Sequence, residues 1–205
     1  MKKFILVLTS LFLAGCSVVG IRSASEPKYQ ILVDSDKIEI RQYPPMVVAQ
    51  TVVNTDYKDS SSQGFNRLAG YIFGNNKNEQ KMSMTAPVFQ EQEFAIMDMM
   101  VPVMQQKTQK VWLMAFVLPQ NYTVSSAPTP LDSAVLIKEI PSKKVAVIKY
   151  SGSLSEHGIE EKSEELKHWL FKKGYKPIST SRSAAYDPPW TLTFLRRNEV
   201  HIDIE

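Results

Sequence analysis

The sequence predicts an α+β domain in which a distorted β-barrel is built from two β-α-β-β-like repeats, with two amphipathic helices packed outside it. Short segments of alternating apolar and polar residues predict strands, and two longer segments have the apolar spacing of helices. The order strand, proline turn, strand, helix, strands occurs twice along the chain. Because one half cannot bury both its sheet face and its helix alone, we expect the halves to pack as one domain.

Strand-like segments lie on both sides of one helix in the first half of the chain. Alternating and β-branched residues predict strands over 31–40 and 47–53, with a turn at Pro44-Pro45 between them. A helix over about 63–74, ended by Gly74, is predicted by apolar residues at helical spacing: Phe65, Leu68, Ala69, Ile72 and Phe73. Further strand-like runs follow at 82–89, 94–104 and 111–118.

The second half repeats this order. Strands are predicted over 135–140 and 145–150, on either side of Pro141. A helix is predicted over 155–173, because Ser155 is a good N-cap, acidic residues come early and lysines come late. Its apolar stripe contains Ile159, Leu166, Trp169 and Leu170. The last predicted strands are 191–195 and 199–204.

The two halves can be aligned through their prolines. Setting Pro44 against Pro141 places the segment 38–49 over 136–146. The alignment puts Ile40 on Ile137, Val48 on Val145 and Ala49 on Ala146. The resulting pseudo-repeats are about 28–120 and 131–205.

The N-terminus has the pattern of a secretion signal. Lys2 and Lys3 precede an apolar run, 4–14, which is shorter than the roughly 20 residues that span a bilayer. The run ends in Leu-Ala-Gly-Cys, which resembles the lipobox of bacterial lipoproteins. The resemblance implies that residues 1–15 are a signal peptide, that Cys16 is acylated, and that 16–27 is a tether. Ser17 after the cysteine implies the outer membrane, with the domain facing the periplasm; an ordinary signal peptide with a chance or buried cysteine is the alternative.

Charge gives no indication of a nucleic-acid partner. The formal net charge is +3, and it falls to +1 without Lys2 and Lys3. Nucleic-acid binders usually carry a strongly basic face, so we expect none.

Three segments, 68–88, 115–122 and 186–200, resemble the SOUL haem-binding family. The first contains KMSMTAPV, similar to the family pattern K-I-x-M-T-x-P-V. The last, YDPPWTLTFLRRNEV, matches the family's C-terminal pattern except that Thr193 stands where proline is usual. The resemblance covers roughly 28–204. It implies a two-repeat barrel over 28–205 that binds haem or another porphyrin without a covalent bond.

The same resemblance implies a binding site in an apolar cleft beside the first helix. Arg67 and Tyr71 lie one turn apart and would present a cation and a flat ring to a tetrapyrrole. The implied contacts are Arg67, Leu68, Tyr71, Ile72, Met82 and Met84. For the aliphatic and methionine side chains, packing in the core is the alternative.

Other ligand candidates are scattered. The histidines that would be available as an axial iron ligand are His157, His168 and His201. A methionine cluster is typical of a plastic apolar surface and equally of core filler: Met97, Met99, Met100 and Met104. No motif for nucleophilic, metal-dependent or nucleotide chemistry is present, so we expect no enzyme.

The segment 186–200 is interpreted as mainly architectural. Asp187-Pro188-Pro189 predicts a stiff turn, Trp190 would begin a strand as an apolar anchor, and 196–199 would be a polar connection before the last strand. Two other functions stay open for the whole chain. One is a haem-independent small-ligand module similar to bacterial effector-binding domains, and the other is a structural envelope lipoprotein.

Overall fold

In the part of the chain that the structure describes, residues 24–93 and 111–205, nine antiparallel strands form one curled sheet with two α-helices. The structure is a computed structural model. The strands are β1 Gln30–Ser35, β2 Ile38–Tyr43, β3 Met46–Asn54, β4 Val88–Glu93, β5 Val111–Val117, β6 Leu136–Ile140, β7 Lys143–Tyr150, β8 Arg182–Ala185 and β9 Asn198–Ile204. The helices are α1 Tyr57–Ile72 and α2 Glu156–Lys173, and a short 3₁₀ helix spans Thr193–Leu195.

The strand order shows an internal two-fold relation. It is β1-β2-β7-β9-β8-β4-β5-β3-β6. Leaving β1 aside, exchanging β2 with β6, β3 with β7, β4 with β8 and β5 with β9 reverses this order onto itself. The outer strand of each half therefore pairs with the other half, and β4 pairs with β8 at the centre. The predicted α+β fold of two repeats is confirmed as a half-barrel whose edges are β1 and β6.

The pairing register obeys the same relation. Ile40 lies opposite Ala146 where β2 meets β7, and Ile137 lies opposite Ala49 where β6 meets β3. These are the equivalent pairs in the alignment through the two prolines. The alignment contains few identical residues, but these hydrogen-bonded strand pairs follow it residue by residue.

Helix α1 begins earlier than the sequence predicts. Asp56 is its N-cap and accepts a hydrogen bond from the Asp59 N–H at 2.9 Å, so the helix starts at Tyr57 rather than near 63. The serines before the apolar stripe are accommodated because Ser60 and Ser61 donate to the Tyr57 carbonyl, each at 2.8 Å. The helix ends before Gly74, which has a φ of 116°.

The predicted bounds of α2 are confirmed within one residue. The Ser155 hydroxyl accepts from the Gly158 N–H at 3.2 Å, and Gly174 ends the helix in the left-handed conformation with a φ of 75°. Local capping chemistry fixes both ends, which is why the sequence was sufficient here.

The helices cover one face of the sheet, and the opposite face, called the inner face below, has its own apolar residues. Between α1 and the sheet lie Ala49, Leu68, Tyr71, Ile72, Met114 and Phe116. Between α2 and the sheet lie Ile40, Ala146, Ile148, Leu166, Leu170, Val200 and Ile202. The inner face contains Val48, Phe89, Ala115, Val117, Ala184 and Tyr186, with Tyr43, Val145 and Val147 beside them. Every residue of β9 is consequently buried.

Two predictions for the C-terminal block are wrong. Residues 191–195 form a turn and the 3₁₀ helix rather than a strand, and Trp190 is 63% exposed rather than an anchor. The polar residues Asn198 and Glu199 belong to β9. Strand β8 was not predicted from its small polar sequence RSAA. In these segments the secondary structure is decided by short-range backbone hydrogen bonds and by contacts within the sheet. The apolar content of the sequence therefore does not predict it.

The predicted strand at 82–89 is also wrong at its start. Residues 81–84 have no ladder partners, and β4 begins only after Pro87, which lacks an N–H to donate. The signal peptide, Cys16, the strand predicted at 94–104 and the four clustered methionines all lie outside the described residues. Among the residues described, no helix is both long and apolar enough to cross a membrane.

Candidate ligand-binding cleft

The inner face carries a cleft of about 320 Å³ between the two halves of the sheet. Residues of β3, β4 and β5 form one wall, β7, β8 and β9 contribute the other, and the edge strand β6 forms the rim. The volume falls at the lower end of the roughly 300–1,000 Å³ of common ligand pockets. A second, smaller cavity of about 90 Å³ lies between the N-terminal ends of the helices.

One wall of the cleft is largely apolar. Its apolar side chains are Met46, Phe89, Leu113 and Ala115, Ile140 of β6 lies beside them, and Gln50 and Glu91 are its polar members. They are on the inner face because side chains alternate along each strand, and their neighbours in sequence pack under α1. This wall offers dispersion contacts without a directional requirement.

The opposite wall and the rim carry charge. Lys143 and Arg182 both reach Asp203, at 2.5 Å and 2.6 Å. Lys138 on the edge strand β6 is exposed at the rim, and its position in the repeat corresponds to the buried Arg41. Glu91 and Glu139 also line the cleft, so charges of both signs surround it. The two cations around Asp203 and the lysine at the rim are the groups that would pair with an anionic part of a ligand.

A buried ionic network supports the floor of the cleft. The carboxylate of Glu199, fully buried, accepts two hydrogen bonds from the Arg41 guanidinium at 2.8 and 3.0 Å and one from the Tyr186 hydroxyl at 2.7 Å. Arg197 donates to the same carboxylate at 2.9 Å. Burial raises the pKa of Glu199, but hydrogen bonds from His201 and Arg41 outweigh it and hold the pKa well below its usual range. The carboxylate is therefore ionised.

His201 connects this network to the cleft. Its Nε2 lies 2.7 Å from Glu199 Oε2, and because that oxygen is ionised, Nε2 carries the proton and donates. Its Nδ1 therefore holds a lone pair, and this buried atom has no hydrogen-bond partner in the described part of the chain. Burial lowers the pKa of His201 to about 4, although the hydrogen bond to Glu199 opposes the shift. The cleft thus has a neutral imidazole with an unused acceptor in its lining.

The structure places most of the predicted site residues in the core rather than around a cavity. Leu68, Tyr71, Ile72 and Met82 are at most 6% exposed and pack between α1 and the sheet. The Tyr71 hydroxyl donates to the Pro128 carbonyl at 2.9 Å, so its polar end is also occupied. The core-packing alternative describes Leu68, Ile72 and Met82, and Tyr71 packs with them.

Arg67 and Met84 lie at the margin of that core. Arg67 is half-buried, donates to the Thr51 hydroxyl at 2.9 Å and pairs with Asp132 at 3.2 Å. Met84 is half-buried and packs against the α1 cluster. The six predicted residues share one region, but none of them lines either cavity.

The residues of the inner face are not predicted as site residues by the sequence. Glu199, Arg41 and Tyr43 alternate with apolar residues, which the sequence pattern interprets as a solvent-facing side. Each of β2 and β9 carries an acidic group and a basic or imidazole group at alternate positions, so that both lie on the same face of the sheet. This spacing is the signal in the sequence that could have revealed them. His157 and His168 are exposed on α2, and the residues described contain no cluster of three acidic, histidine or cysteine groups for a metal ion.

Comparison with known proteins agrees with this architecture. The model of the family described as SOUL heme-binding protein matches residues 24–203. The chain belongs to this family. Heme-binding protein 2 of Mus musculus is 28% identical over 165 residues, covering 79% of this chain and 75% of that protein. The family resemblance drawn from the sequence motifs is confirmed.

Solved structures of low sequence identity share the fold. The C-terminal domain of EcmrR has a TM-score of 0.58 at 13% identity, covering 86% of this chain and 98% of that chain. A structure described as a hydrolase from Listeria innocua has a TM-score of 0.54 at 9% identity, covering 85% and 94%. At such identities the likeness concerns the fold alone.

Proposed function

We propose that this SOUL-family protein binds haem or a related porphyrin non-covalently in the cleft of the inner face, and that acylated Cys16 anchors it in the bacterial envelope. Membership of the family and the name of the mouse relative support a porphyrin ligand. The observation that carries the proposal is the cleft itself, which combines an apolar surface with the cations Lys138, Lys143 and Arg182.

The chemistry of the cleft residues supports a porphyrin ligand. Leu113, Ala115 and Phe89 would contact the flat macrocycle, and Lys138 and Lys143 would hold carboxylates. The unpaired Nδ1 of His201 is the kind of buried acceptor that a bound group would satisfy. Haem would supply a planar apolar body with two carboxylates and an iron; the protein would supply exclusion of water, orientation and charge.

Binding is tested by titrating the protein with haemin and following the Soret band. Lys138→Glu is expected to weaken binding about fivefold, the equivalent of about 1 kcal/mol, because it repels a carboxylate at the rim. Lys144→Glu is the matched control, since Lys144 is exposed but lies on the other face of β7, in phase with Ala146 under α2.

A second pair of variants separates the cleft from the helix. Leu113→Trp fills the cleft and is expected to abolish saturable binding. Arg67→Gln alters the site predicted beside α1. Loss of binding in Arg67→Gln with binding retained in Leu113→Trp would move the site back to the helix.

Anchoring is tested by growing cells with labelled palmitate. The wild-type chain is expected to take up the label and to partition with membranes, and Cys16→Ala to do neither. An unlabelled wild-type chain would overturn this part of the proposal while leaving the haem titration valid. Outer-membrane location, facing the periplasm, is proposed from Ser17 and is checked by membrane fractionation.

A haem-independent small-ligand function is the second candidate. Tyr43 and Glu91 line the cleft beside the apolar wall, an arrangement that also suits an aromatic or cationic guest. Thermal-shift measurements with protoporphyrin and with aromatic cations decide between the two. Stabilisation by the cations alone would select the second candidate, and stabilisation by neither would favour a structural envelope role.

A further inference from the structure

The segment 187–196, here called the apolar loop, exposes four large apolar side chains between β8 and β9. Their exposed fractions are 63% for Trp190, 43% for Leu192, 68% for Phe194 and 36% for Leu195. Residues 188–195 include no charged side chain. Single exposed apolar residues are ordinary on a protein surface, but a concentration of this kind marks a surface that contacts something apolar.

Part of the backbone of the apolar loop is hydrogen-bonded within the loop itself, and the Thr193 carbonyl also accepts from the Gly152 N–H. The Thr191 N–H donates to the Pro188 carbonyl at 3.1 Å, and the Arg196 side chain donates to the carbonyls of Thr191, at 2.8 Å, and Pro189. The two prolines have no N–H to satisfy. Polar backbone groups are expensive in an apolar medium, so a loop with this pairing can enter one at reduced cost. The guanidinium of Arg196, the only one in the apolar loop, is held against the loop backbone by these hydrogen bonds.

The base of the apolar loop lies where the described chain begins. Tyr186 precedes the loop and Arg197 follows it. Ala24 packs against the inner-face cluster that contains Tyr186, and Arg197 pairs with the Glu26 carboxylate at 3.1 Å. Cys16 is eight residues before Ala24, and an extended chain of eight residues spans at most about 28 Å. An acyl group on Cys16 would hold the loop base within that distance of the bilayer.

We infer that the apolar loop is a second membrane contact, which lies in the head-group region of the bilayer beside the acylated cysteine. This inference rests on the proposed acylation of Cys16. Tryptophan is enriched at that depth because its ring is apolar and its N–H polar, and Phe194 and Leu192 extend the apolar tip. The occupant of the patch is therefore a lipid surface, and the contact fixes the orientation of the domain relative to the membrane.

The test uses the full acylated protein in vesicles of phosphatidylethanolamine and phosphatidylglycerol with acyl chains brominated near the glycerol. Bromine quenches tryptophan fluorescence on contact. The wild-type protein is expected to be quenched, and Trp190→Phe to lose most of that quenching. Trp169→Phe is the matched control, because Trp169 is half-buried on α2 and stacks on Tyr175 at 5.8 Å.

Each result decides the matter. Equal quenching in the two variants, with Trp190 open to a water-soluble quencher, overturns the inference and leaves the patch to a protein partner or to solvent. A protein found without acyl chains refutes the anchor, and sedimentation with the same vesicles then tests the loop separately. Binding that falls about tenfold or more in a Trp190→Ser, Phe194→Ser double variant supports the contact, and absence of binding by the wild type overturns it.

Discussion

Glu199 is the side chain on which the charged half of the inner face depends. It accepts hydrogen bonds from Arg41 on β2, from Arg197, from Tyr186 and from His201, and Arg41 lies 158 residues away in the chain. Arg41 is fully buried and also pairs with Glu39 at 2.6 Å. The network joins several buried charged side chains, so it tolerates loss of one member poorly.

We expect Glu199→Ala to lower the free energy of unfolding by about 3–5 kcal/mol, because it leaves the buried Arg41 with too little counter-charge. Denaturant titration measures the change. Glu164→Ala is the control: its carboxylate pairs with Lys167 on the exposed face of α2, and a cost of only about 0.5 kcal/mol is expected. Equal costs for the two variants would contradict the importance of the network.

The buried His201 makes stability depend on pH. Its pKa is about 4 in the folded protein and 6.5 ordinarily, so between these values the unfolded chain binds a proton that the folded chain does not. The free energy of unfolding therefore has its full value above pH 6.5. It falls by an amount on the order of 3 kcal/mol as the pH decreases towards 4. His201→Gln keeps a donor for Glu199 without titrating, and it should flatten this part of the profile.

The measurement is the free energy of unfolding across that pH range for the wild type, His201→Gln and His168→Gln. His168 is exposed on α2, so its replacement is the control for removing a histidine. A slope that survives in His201→Gln would show that other groups cause the acid sensitivity.

At the level of elements, the contact of α1 with β5 depends on a glycine. A Cβ on Gly64 would lie 3.2 Å from both the Cβ and the sulfur of Met114, whereas a Cβ on Gly70 would have Asn75 as its nearest neighbour at 4.0 Å. The helix can approach the sheet this closely only where a side chain is absent.

Gly64→Val is accordingly expected to destabilise the protein by about 1–3 kcal/mol through overpacking. Gly70→Ala, in the same helix, should stabilise it by about 0.5–1 kcal/mol because alanine is the better helix former. Thermal unfolding of both variants checks the pair, and stabilisation by Gly64→Val would mean that Met114 moves aside freely.

At the level of the whole molecule, each half depends on the other for an outer strand. β2 pairs with β7, and β6 pairs with β3. We expect fragments 24–120 and 131–205 to be largely unfolded alone and to form a one-to-one complex when mixed, as judged by circular dichroism and gel filtration. An intact chain with a short Gly/Ser insertion in the loop 121–130 is the control for disturbing that site. A fragment that folds alone would contradict the exchange of strands.

The parts of the fold that the sequence predicted are those set by local chemistry. Ser155 and Gly174 fixed the ends of α2 within a residue, whereas α1 was placed too late because serines outside an apolar stripe suggest a loop. The sequence predicts Trp190 as an apolar anchor of a strand, and this is wrong because apolar content alone carries no information on side-chain exposure. Of the candidate site, the haem resemblance came from the motifs, but the cleft residues did not.

Both helices, most of the strands and the two-fold repeat were indicated by the sequence itself, since spacing and capping act over a few residues. The tertiary structure alone decided that both faces of β9 are buried, that Glu199 and His201 meet Arg41, and that the cleft lies opposite the helices. The physical reason is that these contacts join strands distant in the chain. Which face of a strand becomes interior is fixed by what the sheet places against it, not by the strand's own pattern.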